Sequence, residues 1–186
     1  DCFNKLFIGG KFVDPIDGKK MPTFYPATGE FLHEIPEGNA KDIEAAVSSA
    51  EAAWIDGRWA KMSASERGEL VIRMANSIED NIEFLATIEA ADVGKPFRQA
   101  AMVLGGASGE GKYWGSLGAV IDSEQNKPVT SCGGKGGLPP TEWDVVYRRD
   151  PIGIVGLISA WNYPLNVAPV GSTVKSNTIN SAVLAG

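Results

Sequence analysis

Hydrophobic and polar positions divide the chain into an early stretch with short-period alternation and a longer stretch with helical period. Residues 6–13 (Leu-Phe-Ile-Gly-Gly-Lys-Phe-Val) place two short apolar runs around Gly9-Gly10. Paired glycines supply the positive φ of a tight turn, so this segment predicts a hairpin. A second hairpin is predicted from Phe24-Tyr25, the turn Pro26-Ala27-Thr28-Gly29, and an alternating, half-buried strand over Phe31–Ile35. The period then changes. Asn39 can cap a helix, with Asp42 in its first turn where the dipole favours an anion. Ile43, Val47, Ala50 and Trp54 share one face of that helix. Gly57 ends it.

Ser63-Ala-Ser-Glu66 is a capping box, in which hydroxyl and carboxylate satisfy each other's backbone amides. Leu70, Val71, Met74, Ala75 and Ile78 form the apolar stripe of the helix behind it. A third helix is predicted over Ile82–Ala91, ending near Gly94-Lys95-Pro96, and a fourth over Phe97–Ile121. Several glycines weaken the fourth. Residues 123–141 read as a surface loop and Glu142–Arg149 as a strand. Pro151–Ile158 is a continuous apolar run, the pattern of a strand covered on both faces of a parallel sheet. The order is therefore hairpins, helices, a strand pair and the opening strand of an α/β layer.

Composition narrows the class. The 186 residues are 44% hydrophobic and 22% charged, with formal net charge -6 and a sequence pI of about 4.9. That is ordinary globular composition. The acidic balance argues against a general nucleic-acid or membrane-surface partner, which would need a basic footprint. No apolar run approaches the roughly 18 residues of a membrane span, and the start carries no charged-then-apolar signal pattern. Two cysteines, Cys2 and Cys132, make no disulfide framework, and the default compartment is reducing and cytoplasmic. His33, the single histidine, has no neighbouring cysteines with which to build a zinc site.

Four motifs invite chemistry. Gly106-Ala-Ser-Gly-Glu-Gly-Lys112 matches the first seven positions of a phosphate-binding loop. Tyr113 stands where a magnesium-binding Ser or Thr is needed, however, and the preceding residues read as helix rather than strand. The competing expectation is a glycine-containing helix packed closely on a neighbour. Cys132, beside Gly133-Gly134-Lys135, lacks a base or helix start to stabilise a thiolate, so it reads as a free thiol in a loop. The carboxylates of Glu79, Asp80 and Glu89, and the Asp144, Arg148, Arg149, Asp150 cluster, read as solvated charge. Trp161-Asn162-Tyr163-Pro164 directly follows the buried strand. Ligands bind outside the carboxyl ends of strands in α/β sheets, and an Asn amide there can donate to a developing oxyanion. A turn with an aromatic packed on the core accounts for the same residues equally well. No Gly-x-Gly-x-x-Gly fingerprint follows a strand.

Pro151–Leu165 resembles the first nucleotide-binding strand and following turn of the aldehyde dehydrogenase superfamily. Other segments resemble that family in the same order: Leu6–Val13, Tyr25–Glu30, Asp42–Val47 with Trp54, Ser65-Glu-Arg67, Asp92-Val-Gly-Lys-Pro96 and Tyr113–Leu117. The resemblance implies an α/β fold. Residues 1–186 would form the N-terminal part of the nucleotide-binding domain with the first strand of a Rossmann-like sheet, and 142–149 would form part of an oligomerisation arm, without the catalytic domain. It implies oxidation of a small-molecule aldehyde to a carboxylic acid with NAD or NADP as hydride acceptor, in a homo-oligomer. In that scheme a cysteine thiolate attacks the aldehyde and a glutamate-activated water hydrolyses the thioester. Asn162 matches the asparagine that holds the oxyanion, and Ile158, Ser159, Ala160 and Trp161 match the turn lining the cofactor.

Ala160 departs from the family's usual proline, which leaves the turn less rigid. Ala182–Gly186 resembles the end of the next helix, whereas Val170–Asn180 is extra polar sequence. Neither Cys2 nor Cys132 stands in the nucleophile's context, and the family's cofactor lysine and catalytic glutamate are not among these residues. The expectation is a chain that is inactive alone. A non-catalytic module that docks on a full-length subunit through 142–149 is the alternative, and a nucleotide-binding protein using Gly106–Lys112 is a third.

Overall fold

The computed structural model describes residues 5–124, 153–166 and 183–185. Two hairpins come first. β1 (Leu6–Ile8) pairs antiparallel with β2 (Lys11–Val13). The turn between them places Gly9 at φ 60° and Gly10 at φ 77°, where a β-carbon would be strained. β3 (Lys20–Phe24) pairs with β4 (Phe31–Pro36), with a bulge between Thr23 and Phe24. The half-buried alternation expected of Phe31–Ile35 does not occur: all five residues are exposed. Among the described residues, no layer packs on this two-stranded ribbon to bury them. Phe7 packs on Phe12, and Phe24 meets Phe31 edge-on, so the aromatics touch across strands while each stays more than half exposed.

Four helices follow: α1 (Ala40–Ile55), α2 (Ala64–Asp80), α3 (Ile82–Val93) and α4 (Phe97–Glu124). Asn39 and Asp42 close a capping box at α1, and Ser63 with Glu66 closes another at α2. Asp42 is buried and also accepts a hydrogen bond from the Ile16 amide at 3.0 Å, which ties the loop after β2 to the start of α1. α3 stops at Gly94, whose φ of 77° makes a left-handed cap.

Small residues bring α2 and α4 together. A β-carbon on Gly68 would lie 2.3 Å from the Gly115 carbonyl oxygen, and one on Gly118 would lie 2.3 Å from that of Ala64. The helices therefore touch backbone to backbone. The buried Ser108 hydroxyl donates to the Ala75 carbonyl across the same seam at 3.0 Å. The core proper is Ala86, Ala100 and Leu104, flanked by Ile78, Ile82, Leu85, Ala101 and Leu165. Leu165, in the short helical turn at 164–166, contributes from beyond these four helices.

β5 (Val155–Leu157) pairs parallel with β6 (Val183–Ala185). The apolar run at 151–158 yields a three-residue strand with a parallel neighbour, but not one covered on both faces: Val155 and Leu157 are half-buried, Gly156 is exposed and Ile158 stands out from the surface. Ala182–Gly186, read as a helix end, instead contains β6. The segment's apolar, partly β-branched residues suit a strand once β5 offers an unpaired edge. The loop expected over 123–141 lies outside the described residues beyond Glu124, as do the strand at 142–149, Cys2, Cys132 and Val170–Asn180.

Candidate functional site

The site is built where β5 ends. Ile158 and Trp161 stand out from the surface, 98% and 80% exposed. Ala160 and Asn162 are exposed and Ser159 is half-buried. The Tyr163 amide donates to the Ala160 carbonyl at 3.4 Å, which closes a turn over 160–163. The Asn166 amide then donates to the Tyr163 carbonyl at 3.2 Å as a short helical turn begins at Pro164. The structure therefore brings all five residues singled out in the sequence onto one strand-end turn. Trp161 is not packed on a core, whereas Tyr163 is half-buried beneath Lys95. An exposed side-chain amide at Asn162 can donate two hydrogen bonds to a ligand.

The turn is held from beneath by residues that the sequence reading set aside. Glu89, read as a solvated charge, is 1% exposed. It lies on the same face of α3 as Ile82, Leu85 and Ala86, a carboxylate placed in an apolar stripe. Its partner is Lys95, just past the Gly94 cap, and the two side chains are 0% and 8% exposed. Lys95 Nζ donates to Glu89 Oε1 and, at 2.8 Å, to the Asn162 backbone carbonyl. The same ammonium sits 4.0 Å above the Tyr163 ring. The available signal was the position of Glu89 in the helical period, where a charge needs a buried partner.

The other candidates disperse. Gly106–Lys112 is the interior of α4, so its amides are spent on helix bonds and cannot cradle phosphate. Lys112 pairs with Glu79 of α2. The close helix contact comes from Gly115 and Gly118, whereas Gly106 and Gly109 face open space. Among the described residues no His, Cys, Asp or Glu cluster could hold a metal ion, and no helix is long and apolar enough to cross a membrane.

A parallel strand pair beside a helical layer is the beginning of an α/β architecture, in which ligands bind outside the carboxyl ends of the strands. Residues 12–184 match the model of the aldehyde dehydrogenase family, and the chain belongs to that family. It is 34% identical over 166 residues to betaine aldehyde dehydrogenase 1 of Oryza sativa subsp. japonica, covering 88% of this chain and 32% of that one. Against an aldehyde dehydrogenase of Enchytraeus buchholzi it is 36% identical over 169 residues, covering 89% and 32%. The chain thus spans about a third of the length of these relatives. Among solved structures, an aldehyde dehydrogenase from Bacillus cereus superposes with TM-score 0.84 at 30% identity, covering 97% of this chain and 35% of that one. PnpE in complex with nicotinamide adenine dinucleotide superposes with TM-score 0.82 at 26% identity, covering 97% and 34%. The described residues therefore have the fold of the N-terminal part of an aldehyde dehydrogenase.

Proposed function

We propose that this chain forms the N-terminal third of an oxidoreductase that oxidises an aldehyde to a carboxylic acid. NAD or NADP would accept the hydride, and that is the chemistry the cofactor supplies when bound. Asn162 carries the proposal, because it is exposed in a turn at the carboxyl end of a parallel strand. Its side-chain amide would donate to the aldehyde oxygen as negative charge develops there. Such a donor does most when the transition state carries more charge than the ground state. Ile158, Ser159, Ala160 and Trp161 would line the cofactor. The two large exposed apolar side chains suit that role, since an apolar ligand face would cover them.

These 186 residues hold two cysteines, Cys2 and Cys132, and neither has a neighbouring base in sequence. We propose that they do not turn over aldehyde on their own, and that they act within a homo-oligomer in a reducing, cytoplasm-like compartment. Incubation of the chain with NAD or NADP and a panel of aldehydes should yield no reduced cofactor by absorbance. Thiol-dependent formation of reduced cofactor would sink the inactivity claim. Addition of NAD should slow amide exchange at 158–161; no slowing at millimolar cofactor would remove the cofactor-lining assignment.

A further inference from the structure

We infer that Lys95 is a positioning residue for Asn162, acting through the buried Glu89–Lys95 pair; this rests on the role proposed above for Asn162. Three contacts reach up from the helical layer to the strand-end turn. Lys95 Nζ donates to the Asn162 carbonyl, its charge lies over the Tyr163 ring, and Leu165 enters the core beside Ala86, Ala100 and Leu104. The first is the one that bears on chemistry. The carbonyl of Asn162 and its side chain leave the same Cα. Holding the carbonyl oxygen limits ψ at Asn162 and so sets the direction in which the side-chain amide is presented.

The pin is charge-assisted, running from a Lys95 side chain only 8% exposed to the carbonyl of the exposed Asn162. Lys95 is itself held, since its partner carboxylate is fully buried on α3 and has nowhere else to go. Glu89 Oε2 has no hydrogen-bond partner among the described residues, so the carboxylate is satisfied through Oε1 and Lys95 alone. Burying a charged pair costs desolvation, and its retention is explained when it fixes one arrangement. The arrangement here joins α3 to a turn far away in sequence. Ala160 makes the pin more necessary, because without a proline in the turn its φ is not locked by the chain itself.

Hydrogen exchange tests this in the full chain. The amides of Tyr163 and Asn166 close the turn. In Lys95→Met they should exchange at least about tenfold faster, while amides of α2 keep their wild-type rates. Methionine retains the aliphatic stem, so a role confined to packing would leave the two rates unchanged, and that result would overturn the proposal. Lys95→Arg should restore much of the protection, because a guanidinium can still bridge carboxylate and carbonyl; equal loss in Arg and Met variants would count against a charge-assisted pin. Where Lys95→Met fails to fold, the wild type is read directly. A slowly exchanging Lys95 ammonium signal in nitrogen NMR, correlated with the Asn162 carbonyl carbon across the hydrogen bond, is expected. Its absence in folded protein would overturn the proposal. The NAD arm is independent: no cofactor protection at 158–161 with an intact Lys95 effect removes the cofactor-lining assignment and leaves the pin standing as a tie between the helical layer and the turn.

Discussion

Glu89 and Glu79 are both helical glutamates paired with a lysine, and they should behave oppositely on mutation. The first is buried with Lys95. Glu89→Ala would strand an uncompensated ammonium, a change that typically costs about 3–5 kcal/mol. A urea midpoint that falls accordingly, with an unchanged slope, is the expected outcome. The second is half-exposed and pairs with Lys112. The hydrogen bond from Lys112, followed by its charge, holds the Glu79 carboxyl below the ordinary glutamate value. A carboxyl lowered in the folded state contributes stability above its unfolded-state value and loses it as pH falls through the folded one. Wild type should therefore exceed Lys112→Met slightly at neutral pH and match it in strong acid. Solvent screening keeps the increment small. Thermal midpoints of the two proteins across that range would settle it. The same variant should leave nucleotide affinity untouched, because Lys112 serves a helix–helix contact rather than a phosphate.

Helix α4 contains glycines of two kinds, and substitution should separate them. Gly118 and Gly115 lie in the seam with α2, where an added β-carbon meets backbone or Ile72. Gly118→Ala should destabilise by about 1–3 kcal/mol, the usual cost of overpacking. Gly106 and Gly109 meet nothing within 4 Å. Gly106→Ala should instead stabilise by about 1 kcal/mol, because alanine loses less entropy in a helix. Denaturant midpoints for the pair are a direct test; destabilisation by both would place Gly106 in a contact that its open surroundings do not suggest. The motif that looked like a phosphate loop is thus a helix whose glycines serve packing further along, at 115 and 118.

At the scale of the molecule, large apolar side chains remain uncovered. Phe7, Phe12, Phe24, Phe31, Ile43, Val47, Ile158 and Trp161 are all exposed. Of the residues in α1, only Asp42 is buried, so the apolar face at Ile43 and Val47 awaits a partner. Exposed large apolar side chains in this number favour association. The 186-residue chain should bind a hydrophobic dye such as ANS in its folded state and self-associate as concentration rises. A dye-silent monomer at high concentration would overturn this expectation.

The sequence by itself determined the two hairpins, the four helices and their order. Both capping boxes, the Gly9-Gly10 turn, the Gly94 stop and the helical stripes are local signals, because each depends on residues within a turn or two. The family resemblance was likewise legible, carried by several ordered motifs. Tertiary structure alone decided which polar residues are buried. Glu89 looks like solvated charge until α3, the Gly94 cap and the strand-end turn are placed together, since Lys95, its partner, also reaches a carbonyl 67 residues away. It also decided which glycines matter, because a close approach is a property of two helices. And it turned 183–185 from an expected helix end into a strand, because a parallel pairing needs an edge that only the folded β5 provides.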